Sequence, residues 1–539
     1  MKRLLAIFES KFATVFCLLF AMANRIVFAT LFSEIGRDAR VQITIAKNLI
    51  AGKGLGVTKY FTADLATPVF DKHQLFPPGF SFSIIPFLKI FQNDYTAVLA
   101  FDIIMAIAFV FVVRLLGKNA GLPTAVNNIL TLIAGCSQYS FIMSGTSSDV
   151  AGLTFLLLGL SIMINMVTNP VSKKPAVYFL YAVVFFLPAF FRYMYIPVSV
   201  LFPIIIFCFG IYYKNKLLKS SASWLGSFVA LLIFPVLFIS NLYGGNSVHV
   251  IDTGRGIFFG QLIHWYPYIP ASFINPDFLA QLITKFTQLD YTSVFKAFEI
   301  VNVLFLFALA FLLFRSFRSL KKSTDRRTSV FILSGTAIAV SILLLLAYFS
   351  LTYKPQLYGI YLWNYNYESR YFAFIYIFIP VVLLIIISSN APVKNLFFKI
   401  ILISFSILLF IEVVHGIYFN LKIVTKQKDV MVLKDRVSDY RQFPSVLDSV
   451  KAKYPDRELL ISASDQFFLY SASEKGYKAI FDYTSLNEHE LTVEKKSILL
   501  FLVHETDLWL MKNYLARKKP VTLNKIAGTI FFMEEIDPR

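Results

Sequence analysis

Long apolar runs alternate with short polar connections along most of this chain. The runs fall near residues 12–32, 95–116, 121–143, 149–168, 175–192, 196–213, 223–243, 297–315, 328–352, 371–389 and 397–419. Each is close to the length a helix needs to cross roughly 30 Å of hydrocarbon, so the pattern predicts a polytopic α-helical membrane protein with about eleven transmembrane helices. One run breaks the pattern: residues 76–91 are apolar but short and carry Pro77, Pro78 and Pro86.

Charge parity decides how that run is read. If it does not cross, then Arg114 with Lys118, Lys173 with Lys174, Lys214 with Lys216 and Lys219, the basic cluster at 315–327 and Lys394 all lie on the side of the N-terminus. The positive-inside rule is then met at every short connection. Residues 76–91 are therefore expected to be interfacial or re-entrant on the outer face.

The polar remainder has two large parts. The first, residues 33–94, opens with a stretch in which Val41, Ile45 and Leu49 recur every four positions before Gly52. That spacing predicts an amphipathic helix over 36–51, lying on the membrane with Gly52 as its C-cap. After residue 420 the composition turns charged and mixed. Strand-like runs at 458–462, 477–483, 497–504 and 526–534 alternate with helical stretches at 444–453 and 506–519, which predicts a small C-terminal α/β domain on the outer face. The expected division is a membrane domain over 1–420, including the first outer loop, and an extracytoplasmic domain over 421–539.

Composition narrows the function. With 57% hydrophobic residues, 17% aromatic residues and a mean hydropathy of +0.66, the chain is too apolar for a soluble domain. The net charge of +19 is spread in clusters between spans, so it reads as membrane orientation and excludes a nucleic-acid partner. Cys17, Cys136 and Cys208 stand alone inside apolar runs without metal-knuckle or disulfide spacing. The basic start and the uncleaved first span place the N-terminus in the cytoplasm of a multi-pass cytoplasmic-membrane protein. No Walker motif is present, so ATP-driven transport has no engine in these residues.

The candidate chemistry gathers at the outer ends of the spans. Asp38 falls in the first turn of the loop helix, where a carboxylate complements the dipole or acts as a positioned base or metal ligand. Asp149 follows Ser147 and Ser148 at the start of a span, and reads equally as part of an N-cap or as a second acidic site residue. Arg192 ends a span, where an arginine snorkels to headgroups or holds a lipid phosphate. Arg255, with His264, Trp265 and Tyr266, lies in the next outer loop. Arg370, beside Glu368, follows an aromatic-rich outer loop at the mouth of a span, where an ionisable residue is costly and so tends to be functional.

The order of several short motifs resembles a known family. Asp38-Ala39, then Ala46-Lys47-Asn48-Leu49, Gly52-Lys53-Gly54 and Phe76-Pro77-Pro78-Gly79-Phe80 are similar to the first outer loop of the GT-C superfamily of polyprenyl-phosphate-sugar-dependent glycosyltransferases, in its protein mannosyltransferase and aminoarabinose transferase branch. Glu368-Ser369-Arg370-Tyr371-Phe372 with Pro380 resembles the signature that opens a late span in these enzymes. The resemblance implies an inverting hexosyl- or pentosyltransferase that takes a polyprenyl-phosphate-linked donor and a lipid, glycan or protein acceptor at the outer face. It implies that Asp38 is the base, with Arg370, Arg192 and Arg255 as candidates for the lipid phosphate. A divalent metal enters only as an option, because many members carry a second acid where this chain has Ala39. The rival readings are a lipid or solute transporter and an outer-face glycan polymerase or ligase. Against the first, most charges sit at span ends; against the second, the longest polar loop comes early.

Overall fold

In the computed structural model of the chain, the described residues are 8–32, 37–71, 76–137, 147–243, 276–291, isolated positions between 293 and 307, 326–352, 356–358, 361–363, 372–388, 396–425 and 443–538 except 444, 465, 489, 527 and 528. They belong to two compact units. One comprises Met1–Ser33, Phe101–Asn241 and Asn246–Lys422; the other comprises Glu34–Ala100, Leu242–Gly245 and Ile423–Arg539.

The first unit is helical. Among the described residues six helices are long and apolar enough to cross a membrane: Lys11–Thr30, Asp94–Asn119, Ser148–Thr168, Tyr193–Tyr212, Lys216–Val236 and Arg326–Tyr348. Shorter apolar helices run over Thr124–Cys136, Pro175–Phe191 and Ala373–Ser388, and a further helix occupies Leu396–Thr425. A helix thus overlaps each apolar run except 297–315, which falls largely outside the described residues.

Polar groups inside this unit are tied to neighbouring helices, as a low-dielectric setting requires. Asn24 in the first helix donates to the Gly135 carbonyl at 3.3 Å and accepts from Asn420 at 2.9 Å. Arg25, buried, lies 4.5 Å from the centre of the Phe109 ring. At Gly135 the first helix comes so near that a Cβ would stand 2.3 Å from the Cβ of Ala21, whereas at Gly226 its nearest atom would be 3.9 Å away. Gly135→Ala is therefore expected to force these helices apart and cost about 1–3 kcal/mol, with Gly226→Ala near neutral, checked by thermal unfolding in detergent.

The second unit is built on a mixed sheet. The strands among the described residues are β1 (Val57–Phe61), β2 (Asp64–Asp71), the separate hairpin β3 (Gln356–Tyr358) and β4 (Tyr361–Trp363), then β5 (Glu458–Ala463), β6 (Lys478–Ile480), β7 (Ser497–His504), β8 (Val521–Ile526) and β9 (Thr529–Ile536). Seven of them form one sheet in the order β2-β1-β6-β5-β7-β9-β8. β5 pairs in parallel with β6 and β7, and β1 joins β6 in parallel through Tyr60 and Ile480. β5 and β7 are buried almost throughout, with Leu459 and Ile461 in one core and Leu460 in the other, the period of two that a covered central strand requires.

The units divide at Lys422 and Ile423, next to residue 420, and residues 34–100 group with the later segment. Residues 34–100 pack with 423–539 because strand β1 supplies a hydrogen-bonding edge to β6 and its turn, through the buried Thr62, is tied to Asp482. The carboxylate of Asp482 accepts the Thr62 amide at 2.9 Å and the Thr62 hydroxyl at 2.6 Å.

The two helices of the first loop form where expected. Arg37–Ile50 ends in a Schellman cap, with Lys53 N–H donating to the Asn48 carbonyl at 2.8 Å, Gly52 N–H donating to the Leu49 carbonyl at 3.1 Å, and Gly52 at φ +72°. Its apolar stripe, expected on lipid, is covered by protein instead: Val41 and Ile45 pack with Val57 and Tyr470. Gly79–Phe91 follows Pro77 and Pro78. At 13 residues it rises only roughly 20 Å, short of a hydrocarbon core, and leaves Phe82, Ile90 and Phe91 exposed.

Candidate functional site

In the helical unit the polar groups at the start of the Ser148–Thr168 helix converge. Ser147 precedes that helix with φ +53° and ψ −118°, a conformation costly for a residue with a Cβ. Its side chain makes no capping bond. Its amide N–H instead donates to Oδ1 of Asp102 at 2.7 Å, and Asp102 is only 2% exposed. In the helix's first turn Asp149 meets Nη2 of Arg192 at 2.6 Å.

Arg192 reaches Asp149 because of where its helix stops. The Pro175–Phe191 helix ends at Arg192, whose backbone is extended, and the side chain crosses the next turn of the Asp149 helix at Gly152. A Cβ at Gly152 would lie 3.1 Å from Cγ of Arg192 and 3.2 Å from the Tyr195 ring, so the glycine makes room for both. The guanidinium is buried, and Asp149 supplies the anion that a desolvated cation needs.

In the second unit Asp38 occupies the first turn of the Arg37–Ile50 helix and is half-buried. Its carbonyl accepts a hydrogen bond from Nε2 of Gln42 at 3.1 Å, an internal tie within the first turns. Two turns of the same helix carry Arg40 and Lys47. Arg40 Nη1 lies 2.8 Å from Asp94 and 3.0 Å from Glu474; Lys47 Nζ lies 2.7 Å from Asp94 and also pairs with Glu474. The four charges balance, and they are shielded enough for the pairing to matter more than at an open surface.

The structure therefore brings Asp149 and Arg192 together and places Asp38 in the other unit. Arg255 and Arg370 lie outside the described residues, as do Glu368, His264, Trp265 and Tyr266. Two of the seven Lys and Arg residues in the first loop, Arg40 and Lys47, are matched by carboxylates of the protein itself. Asp94, Asp102, Glu474 and Asp482 went unmarked in the sequence. For Asp102 there was a signal, an acid inside an apolar span. For Glu474 and Asp482 there was none, since their partners lie more than 400 residues away. Among the described residues no three His, Cys, Asp or Glu side chains gather as metal ligands.

Solved structures share this fold. Two solved structures of ArnT from Cupriavidus metallidurans match over 97% of this chain and 98% of theirs with a TM-score of 0.50, one bound to undecaprenyl phosphate at 12% identity and one in the apo state at 11%. The apo Archaeoglobus fulgidus oligosaccharyltransferase is also similar, at 11% identity over 98% of this chain and 75% of its own, with a TM-score of 0.48. No family profile and no curated protein matches the chain by sequence.

Proposed function

We propose that the protein is a membrane glycosyltransferase that moves a sugar from a polyprenyl-phosphate donor to an acceptor hydroxyl on the outer face of the cytoplasmic membrane. The N-terminus is then cytoplasmic and the C-terminal segment extracytoplasmic. The observation that carries this reading is the fold shared with ArnT over nearly the whole chain, one ArnT structure being bound to undecaprenyl phosphate.

The reaction asks three things of the protein. A carboxylate takes the acceptor proton as the new C–O bond forms at the anomeric carbon. The bond from that carbon to the phosphate oxygen breaks on the opposite face, inverting the centre. The departing lipid phosphate keeps the electron pair and is stabilised by fixed cations. Asp38 is assigned the first role and Arg370 the last, with Arg255 as a second candidate for it. Arg192, whose guanidinium already meets Asp149, serves the phosphate only by sharing that charge.

The test uses purified protein in nanodiscs with a panel of polyprenyl-phosphate sugars, following release of polyprenyl phosphate. Release above the protein-free rate is expected for at least one donor, together with saturable binding of polyprenyl phosphate. Neither release nor binding across the panel would overturn the proposal. For Arg370→Ala, the lost charge-assisted contact of about 1.5–3 kcal/mol predicts polyprenyl-phosphate affinity weaker by roughly 10- to 150-fold. Unchanged affinity would remove Arg370 from the site.

A further inference from the structure

The helix that begins with Asp38 is held from the far end of the chain. Its apolar stripe, Val41 and Ile45, packs with Tyr470. Its charged positions, Arg40 and Lys47, are seven residues apart and so lie on the same side two turns along. Both reach Glu474. Tyr470 and Glu474 are four residues apart on the Gln466–Glu474 helix, so one turn of that helix supplies both an apolar and an ionic contact to the Asp38 helix.

Two further ties fix the same pair of segments. Ser473, next to Glu474, donates its hydroxyl to the Thr58 carbonyl at 2.9 Å. Strand β1, which contains Thr58, is hydrogen-bonded to β6 just beyond that helix. Sliding or tilting of Arg37–Ile50 against the C-terminal segment would break the Glu474 ion pairs, because a rigid helix face cannot keep both cations on one carboxylate while it rotates. The C-terminal segment thus acts on Asp38 through the direction of the helix that presents it.

From this geometry we infer that Glu474 is a positioning residue for glycosyl transfer, orienting Asp38 through Arg40 and Lys47 without touching the substrate. The inference rests on Asp38 being the base, and it assigns the C-terminal segment a part in the reaction. Misplacing a reacting group by about 1 Å costs up to about 100-fold in rate.

The experiment compares Glu474→Gln with wild type in nanodiscs, using a donor that the wild type turns over. Expected is a fall in kcat of between about 10- and 100-fold, with donor KM and polyprenyl-phosphate affinity unchanged, and partial recovery in Glu474→Asp. Amide exchange over 37–50 should quicken while that over Ser148–Thr168 stays the same. Lys47→Gln, which removes a more exposed partner, should shift kcat in the same direction by less and serves as the variant if Glu474→Gln does not fold. Wild-type kcat in the folded Glu474→Gln protein, or in Lys47→Gln where that is the one that folds, overturns the inference. So does an equal loss of kcat and donor affinity. The underlying reading fails separately, if Asp38→Asn keeps wild-type turnover.

Discussion

Asp38→Asn should lower turnover of a polyprenyl-phosphate sugar by about 10²- to 10⁴-fold, the usual contribution of a positioned general base, or roughly 2.7–5.5 kcal/mol on the barrier. The substitution is nearly isosteric and leaves the carbonyl that accepts from Gln42 in place, so the Arg37–Ile50 helix keeps its first turn. The packing of Val41 and Ile45 and the Glu474 ion pairs are likewise untouched. What is removed is the negative charge, and with it the ability to take a proton. Thermal unfolding and polyprenyl-phosphate binding should match wild type while turnover falls. A wild-type rate in the folded variant would remove Asp38 from the role of base.

The second large effect is on stability. Asp149→Asn takes the anion from a guanidinium that is only 8% exposed at its side chain, and the expected cost is about 3–5 kcal/mol, most of it the desolvation of a cation without this counter-charge. Arg192→Met removes the cation and keeps an apolar stem over Gly152. The double variant Asp149→Asn with Arg192→Met should therefore be less destabilised than Asp149→Asn alone. Reversible unfolding in mixed detergent micelles would supply the double-mutant cycle. Costs that add to within about 0.5 kcal/mol would show that the pair is not coupled.

The helices were legible because a bilayer imposes a length on them. The run read at 95–116 is Asp94–Asn119, that at 149–168 is Ser148–Thr168, and that at 175–192 is Pro175–Phe191. The central strands of the C-terminal segment were legible for a similar reason, since Glu458–Ala463 and Ser497–His504 are apolar runs of strand length. The hairpin of β1 and β2 was not. Val57-Thr58-Lys59-Tyr60-Phe61 alternates only weakly, and its strand partner is set by a residue some 420 positions downstream, where local periodicity carries no information. The same distance hid the true cover of Val41 and Ile45, whose stripe reads identically whether it meets lipid or Tyr470. Asp38, Asp149 and Arg192 were visible as candidates because each is charged and lies at a boundary. That Asp149 and Arg192 are partners depends on how two helices pack, which their spacing along the chain does not encode.

The sheet that joins residues 57–71 to residues 458–536 also sets an order of events during synthesis. The early hairpin and the stripe of Val41 and Ile45 leave the ribosome long before β6, Tyr470 and Glu474 exist. At 5–20 residues per second the 434 positions separating Arg40 from Glu474 amount to a wait of roughly 20–90 s. Throughout that interval the first loop has unpaired strand edges and uncovered apolar groups, and the bilayer surface is the nearest shelter for them. Its amphipathic pattern suits that temporary address as well as its final one. A nascent chain that stalls before residue 458 leaves the loop without the strands that complete its sheet.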